Sequence, residues 1–255
     1  MHKIVAIAQK EFRVSAWSFS TYLIFSIFSA ATGLFFFADV IDWSVIAGYL
    51  EDPQLIQISF SQFVAIPFFM NSCLALILLI PILAARSLSE ERKMGTFELL
   101  FTYPISDFQI VIGKWLALVG QVILLILPTV AYFLLLYIFK ARFAPSALFV
   151  SYLGLLVIVL VPVSFTMFLS SLTSNHSIVV ALSFFAAILF WMSGWVVLWV
   201  APSLYPILKG WWVVEHIRQF AKGVFDTAYI VFYLIWTAFF LFATVVSLEA
   251  RSWKR

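Results

Sequence analysis

Long apolar runs separated by short polar breaks dominate the chain. Six runs fall at 17–38, 59–85, 115–139, 147–169, 178–200 and 228–248. A hydrocarbon core of about 30 Å is crossed by about 20 residues of helix, and each run reaches that length. Backbone groups in hydrocarbon find no water, so only helices and closed barrels cross it. These continuous runs lack the alternation of a barrel strand. The pattern predicts an all-α integral membrane domain of six transmembrane helices filling residues 1–255. Pro67, Pro81, Pro128 and Pro162 lie inside the runs, where neighbouring helices can satisfy the freed carbonyls and kinks are expected.

Three segments are not simple spans or turns. Residues 1–15 place Ile4, Val5, Ala8 and Phe12 on one helical face, with Lys3 and Lys10 opposite and Arg13 near the end. This is the pattern of a helix lying in the membrane surface. Residues 86–114 read RSLSEERKMGTFELLFTYPISDFQIVIGK, the longest charged stretch of the chain. Here Ser89 is placed to cap a short helix whose first turn holds Glu90 and Glu91. Met94, Phe97 and Phe101 form an apolar stripe edged by Glu91 and Glu98, a surface suited to docking. Pro104 ends that helix, and Ser106 or Asp107 caps the next one, which runs through Lys114 into the third span. The third segment, 201–227, holds Pro202, Pro206, Gly210, Trp211 and Trp212, which fit either a re-entrant dip or an interfacial aromatic belt.

Composition excludes a soluble fold. Of 255 residues, 64% are hydrophobic, 19% aromatic and 11% charged, against about 25% charged for an ordinary soluble domain. The net charge of +3 does not point to nucleic acid, because the basic residues flank the apolar runs and so set orientation. Of 15 Lys and Arg, ten fall on the side of the N-terminus: Lys3, Lys10, Arg13, Arg86, Arg92, Lys93, Lys114, Arg251, Lys254 and Arg255. Lys140, Arg142, Lys209, Arg218 and Lys222 make up the five on the other side. The bias predicts both termini in the cytoplasm. The first outer loop agrees, with Asp39, Asp42, Glu51 and Asp52 and no basic residue. The first run is too long for a cleavable signal and is expected to be retained. Cys73 has no partner and reads as packing. Asn175-His176-Ser177 matches a glycosylation pattern by chance, since it faces the cytoplasm on this topology.

No Asp, Glu, Lys, Arg or His falls within the six runs as drawn, so nothing in them relays a driving ion. Asn71, Gln121, Ser164 and Thr166 read as hydrogen-bonding glue between helices. His2, His176 and His216 do not cluster in sequence. Glu215, His216 and Asp226 lack a metal-ligand spacing and read as ordinary charges of a wet outer loop. Gly113-Lys114 has no earlier Gly at the right spacing and no following Ser or Thr, so there is no phosphate-binding loop. The chain is expected to be no enzyme, to hold no catalytic residue or metal, and to be driven from outside.

The stretch EERKMGTFELLFTYPIS followed by QIVIGK resembles the loop after the second span in the type-2 permease family of ATP-binding-cassette transporters. Glu90, Glu91, Arg92, Gly95, Thr96, Glu98, Pro104, Gly113 and Lys114 carry the likeness. HIRQFAKGVFDTAYIVFYL resembles the segment before the last span in the branch of gliding-motility and copper-enzyme-maturation permeases, through His216, Phe220, Gly223, Asp226 and Tyr233. The resemblance implies a half-transporter paired with a second copy, in a homodimer, and with two cytoplasmic ATPase subunits that hold ATP and magnesium. It implies that Glu90 to Phe101 form a coupling helix, that residues 1–15 lie at the inner surface, and that 201–227 dip into the membrane as a re-entrant hairpin. Export powered by the ATPase is the function it implies, with a periplasmic accessory protein compatible with it. The alternatives are a non-transporting subunit that transmits ATPase motion to an extracytoplasmic partner, and a channel or uncoupled carrier.

Overall fold

The computed structural model of the chain describes residues 2–50, 52–93, 106–139, 141, 143–200 and 209–252. Among these residues all regular structure is helical. The elements are α1 (His2–Ala16), α2 (Phe19–Ala47), α3 (Pro53–Phe60), a π-helical turn (Ser61–Ala65), α4 (Ile66–Ala84) and α5 (Arg86–Lys93). They continue with α6 (Asp107–Ile138), α7 (Pro145–Leu172), α8 (His176–Val200), a 3-10 turn (Lys209–Trp211), α9 (Val213–Ala221) and α10 (Thr227–Ser252). Six helical stretches are long and apolar enough to cross a membrane, which makes this a multi-pass membrane protein.

The helices overrun the apolar segments that define them. α2 continues past residue 38 through Asp39 and Asp42, so the first part of the expected outer loop is helical. α6 starts at Asp107 and takes Lys114 into its length. Its 32 residues reach about 48 Å, well beyond a hydrocarbon core of about 30 Å. Charged residues absent from the runs as drawn therefore sit in the ends of the same helices. At the start of α6, Ser106 accepts a hydrogen bond from the Gln109 amide, as its cap position predicts.

α7 is the central rod, packing against α4, α8, α9 and α10. Within its membrane-length window 67% of residues are buried, against 17% in α2 and 22% in α8 and α10. Burial of apolar surface drives little association between helices in lipid, so close packing and hydrogen bonds must hold the bundle. An aromatic cluster supplies the packing where α2, α4, α6 and α7 meet. Phe133 lies 5.1 Å edge-on to Phe68 and 5.8 Å stacked on Phe69, and Tyr152 lies 4.9 Å edge-on to Phe69. Tyr132 donates to the Ser29 carbonyl at 3.1 Å, and Trp43 Nε1 donates to Ser59 Oγ at 3.1 Å. The Thr129 and Tyr152 hydroxyls are 3.0 Å apart.

These bonds are not the ones expected. Ser164 donates to Leu160 and Val161 of its own helix, as a hydroxyl in the middle of a helix does when it faces back along the turn. Gln121 Oε1 and Thr166 Oγ1 are buried without a hydrogen-bond partner. In this cluster the glue comes from tyrosines and a tryptophan, whose longer arms reach a neighbouring helix, Tyr132 at a backbone carbonyl and Tyr152 and Trp43 at a hydroxyl.

Pro67 alone among the span prolines coincides with a change of helix type. Its ring leaves no room for the carbonyl four residues earlier, and the preceding turn widens so that the Ile66 amide reaches the Ser61 carbonyl. Pro81, Pro128 and Pro162 sit inside continuous α-helices.

Candidate functional site

α1, the end of α4, α5 and the start of α6 come together at one end of the bundle, called the terminal face. The candidate site is the root of α5 on that face, where the charged segment begins. α4 and α5 would form one helix but for Ala85, where the serine of another span enters the ladder. Ser170 Oγ of α7 accepts from the Leu88 amide at 3.1 Å and the Ser89 amide at 3.0 Å, and donates to the Ala85 carbonyl at 2.8 Å. A side chain inserted into the i to i−4 ladder is a recognised cause of a helix break. One hydroxyl so uses its full capacity, two acceptor pairs and one proton. Leu88 beside it is fully buried.

Ser89 is therefore not the cap of a helix that begins after it. It lies inside α5, is buried, and donates to the Ala85 carbonyl at 2.7 Å. Glu90 and Glu91, assigned to the first turn, fall with Arg92 in the second turn of α5. The reason is that α5 inherits its start from the broken end of α4 and needs no cap of its own. The remaining expected docking residues, Met94, Gly95, Thr96, Phe97, Glu98, Phe101 and Pro104, lie outside the described residues.

Lys114 ties this root to two further elements. Its Nζ donates to the Ser87 carbonyl of α5 at 2.8 Å and stands 3.4 Å from Glu11 Oε2 of α1. Only 4% of the Lys114 side chain is exposed, and Glu11 is also 3.4 Å from the exposed Lys10. Burial of a lysine is tolerated when it is paired and hydrogen-bonded in this way. α1 lies along the first half of α6, and the absence of a side chain at Gly113 makes the approach possible. A Cβ there would meet the Ile7 Cβ at 2.8 Å and the Ile4 carbonyl at 3.2 Å. Further along, Phe12 covers Gly120. The packed face of α1 is thus Ile4, Ile7, Ala8 and Phe12. Val5, expected on the apolar face, is half exposed, and Lys3, Lys10 and Arg13 are exposed on the outer side.

The opposite face is organised by α9. Trp211 packs edge-on to Trp236 at 5.3 Å, and its carbonyl accepts from Ser193 at 3.1 Å. Trp212 accepts the first bonds of α9 through its carbonyl and lies against Gly194. At the other end Gly223 adopts φ +80°, and the amides of Gly223 and Val224 return to Phe220 and Gln219. This is the Schellman closure, which needs a left-handed residue at that point. Asp226 then caps α10 by accepting from the Ala228 amide at 2.8 Å.

The trio Glu215, His216 and Asp226 does not share a wet loop. Glu215 is held by Arg218 at 3.0 Å and Gln219 at 2.7 Å. His216 faces inward, 1% exposed, with Nδ1 2.7 Å from the Tyr233 hydroxyl and the ring stacked 4.1 Å from Tyr229. Burial lowers its pKa to about 4, against the opposing pull of Glu215 and Asp226. The correction has a simple cause: α9 is amphipathic, and Val213, Val214, His216, Ile217, Phe220 and Ala221 form the face that packs inward. Among the described residues no group of three His, Cys, Asp or Glu is placed to hold a metal.

Sequence reasoning singled out Lys114 and His216 but missed Ser170 and Glu11. A serine at the end of an apolar run gives no signal, and Glu11 was one charge on a basic helix. An acid one turn from Ile7 and Ala8, on the packed side of α1, was the available clue. Comparison of the chain with protein-family models and with curated proteins finds no match.

Proposed function

We propose that the chain is the transmembrane permease subunit of an ATP-binding-cassette exporter, which passes the motion of separate ATPase subunits to the membrane helices. The observation that carries this reading is the root of α5. The acidic, docking-type segment of residues 90–101 begins within the short helix α5, which is fixed to α7 through Ser170 and to α6 and α1 through Lys114. Force that reaches α5 would pass to those three elements through direct contacts. Such rigid elements with bistable packing are the means by which a local event becomes a domain movement.

On this reading residues 90–101 seat in clefts of two cytoplasmic ATPases carrying ATP and magnesium, and both termini are cytoplasmic. α1 serves as the helix at the inner membrane surface, and residues 201–227 form the re-entrant outer segment. Two copies of the chain meet through α2 and α8, with α4, and substrate passes between them. The low internal burial of α2 and α8, shared by α10, is compatible with that arrangement, because such apolar faces need lipid or a partner.

The test is replacement of Glu91 or Glu98 by lysine in the chain co-expressed with a candidate partner ATPase. Reversal of charge on the docking edge is expected to abolish co-purification of the ATPase and substrate-dependent ATP turnover. Unchanged co-purification and turnover would refute the docking assignment. Uphill transport by the purified chain without nucleotide would refute the whole reading.

A further inference from the structure

Three helices, α7, α8 and α10, together with Trp211, line a half-open cavity of about 190 Å³ that the mechanical reading above leaves unused. Trp211 stands at its outer end, and Trp236, Phe240 and Phe165 line it further in. Their rings form a continuous wall: Trp211 to Trp236 at 5.3 Å, Trp236 to Phe240 at 5.7 Å and Phe240 to Phe165 at 5.0 Å. Two polar groups interrupt this wall, Thr166 of α7 and Ser183 of α8. Both side chains are almost fully buried, at 1% and 2% exposure, and neither hydroxyl has a hydrogen-bond partner. Serine and threonine in a helix ordinarily bond back to a carbonyl of the preceding turn, as Ser164 does two residues before Thr166.

We propose that this cavity is a lipid site, which takes one hydrocarbon chain from the bilayer and pairs a polar group along that chain with Thr166 and Ser183. Three considerations carry it. The helices at the mouth, α8 and α10, present Leu182, Phe185, Ile235 and Phe239 as exposed apolar side chains, so the cavity opens where lipid tails lie. An unfilled apolar space forfeits the dispersion contacts of its walls, and in a bilayer the available filler is a lipid chain. A plain alkyl chain would fill the space but leave two buried hydroxyls unpaired, which costs free energy. A chain bearing a hydroxyl or carbonyl satisfies both demands. The site lies within one copy and does not depend on transport.

Photocrosslinking of the full chain in phosphatidylethanolamine nanodiscs tests it. The probe is a phosphatidylcholine with a diazirine midway along one acyl chain, and the competitors are 12-hydroxystearoyl and plain stearoyl phosphatidylcholine. Adducts are expected to concentrate on peptides of α7, α8 and α10 that line the cavity. The hydroxylated lipid should displace the probe about fivefold better than the plain one, the worth of one net hydrogen bond. Thr166→Val combined with Ser183→Ala, which keeps the cavity, should bring that ratio to about one while leaving the total adduct in place. Ala187→Phe, which fills the cavity, should remove the cavity adducts but not those on exposed Phe37 or Leu134. Adducts spread evenly over all exposed faces and unaffected by Ala187→Phe would overturn the proposal. So would equal competition by the two lipids, or crosslinks from the cavity to a second copy of the chain in place of lipid.

Discussion

A single hydroxyl on α7 serves three backbone groups at the root of α5, and its removal is the sharpest test at residue scale. Ser170→Ala leaves the Leu88 and Ser89 amides without their acceptor, while the Ala85 carbonyl keeps Ser89 Oγ. Two buried donors left unmade should cost about 1–3 kcal/mol. Because the damage is local, amide hydrogen exchange at Leu88 and Ser89 should accelerate while that of the α7 midsection stays slow. His216 gives a second test at this scale. Its folded pKa of about 4 lies below the ordinary value of about 6.5, so the unfolded chain binds the proton more readily. Stability from this group is complete above about pH 6.5 and is lost as pH falls toward 4. The melting temperature in detergent should drop over that window, and His216→Phe should flatten the drop. A wild-type curve independent of pH there would show that His216 is not a buried neutral ring.

At the scale of elements, α1 is held to α6 by shape and by one charged contact. Gly113→Val would drive two methyl groups into Ile7 and the Ile4 carbonyl, and neither is the free end of a flexible side chain. α1 should separate from α6, which cysteine labelling at Ala8 would report as a gain in reactivity. Lys114→Met keeps the aliphatic stem but removes the donor to Ser87 and the partner of Glu11. The expected result is faster exchange in both α1 and α5 with α6 unchanged, a paired response that independent helices would not give. α9 was the element least legible in advance. Its nine residues are too few for a span and too polar on average to suggest burial, although the positions 213, 214, 217, 220 and 221 already carried a helical period. His216 lies within that face, and reading it by its neighbours at three and four residues, Val213 and Phe220, would have placed it inward.

For the molecule as a whole, the arrangement of charge and the uneven burial of the spans make the remaining prediction. Six crossings would bring the two ends to one side, so tags on them should be accessible from the same side of sealed vesicles, the cytoplasmic side if the Lys and Arg bias governs insertion. Cysteine pairs placed across two copies on exposed positions of α2 and α8, such as Phe37 and Leu189, should crosslink if these little-buried faces form the contact between copies. Crosslinks only between α10 faces would move the interface elsewhere.

The amino-acid sequence alone determined that the chain is helical, that six of its helical stretches are long and apolar enough to cross a membrane, and that Ser106 begins a helix. These follow from local quantities: the length of an apolar run, the absence of water for backbone groups in hydrocarbon, and a side chain bonding three residues ahead. Tertiary structure decided where helices stop, which polar groups pair, and which way α9 faces. Helix ends ran on through Asp39 and Lys114 because a helix continues until something interrupts its ladder. The interruption at Ala85 came from Ser170, 85 residues away. Pairings of that kind depend on which turn of one helix meets which turn of another, and a residue's own neighbours in sequence carry no record of it.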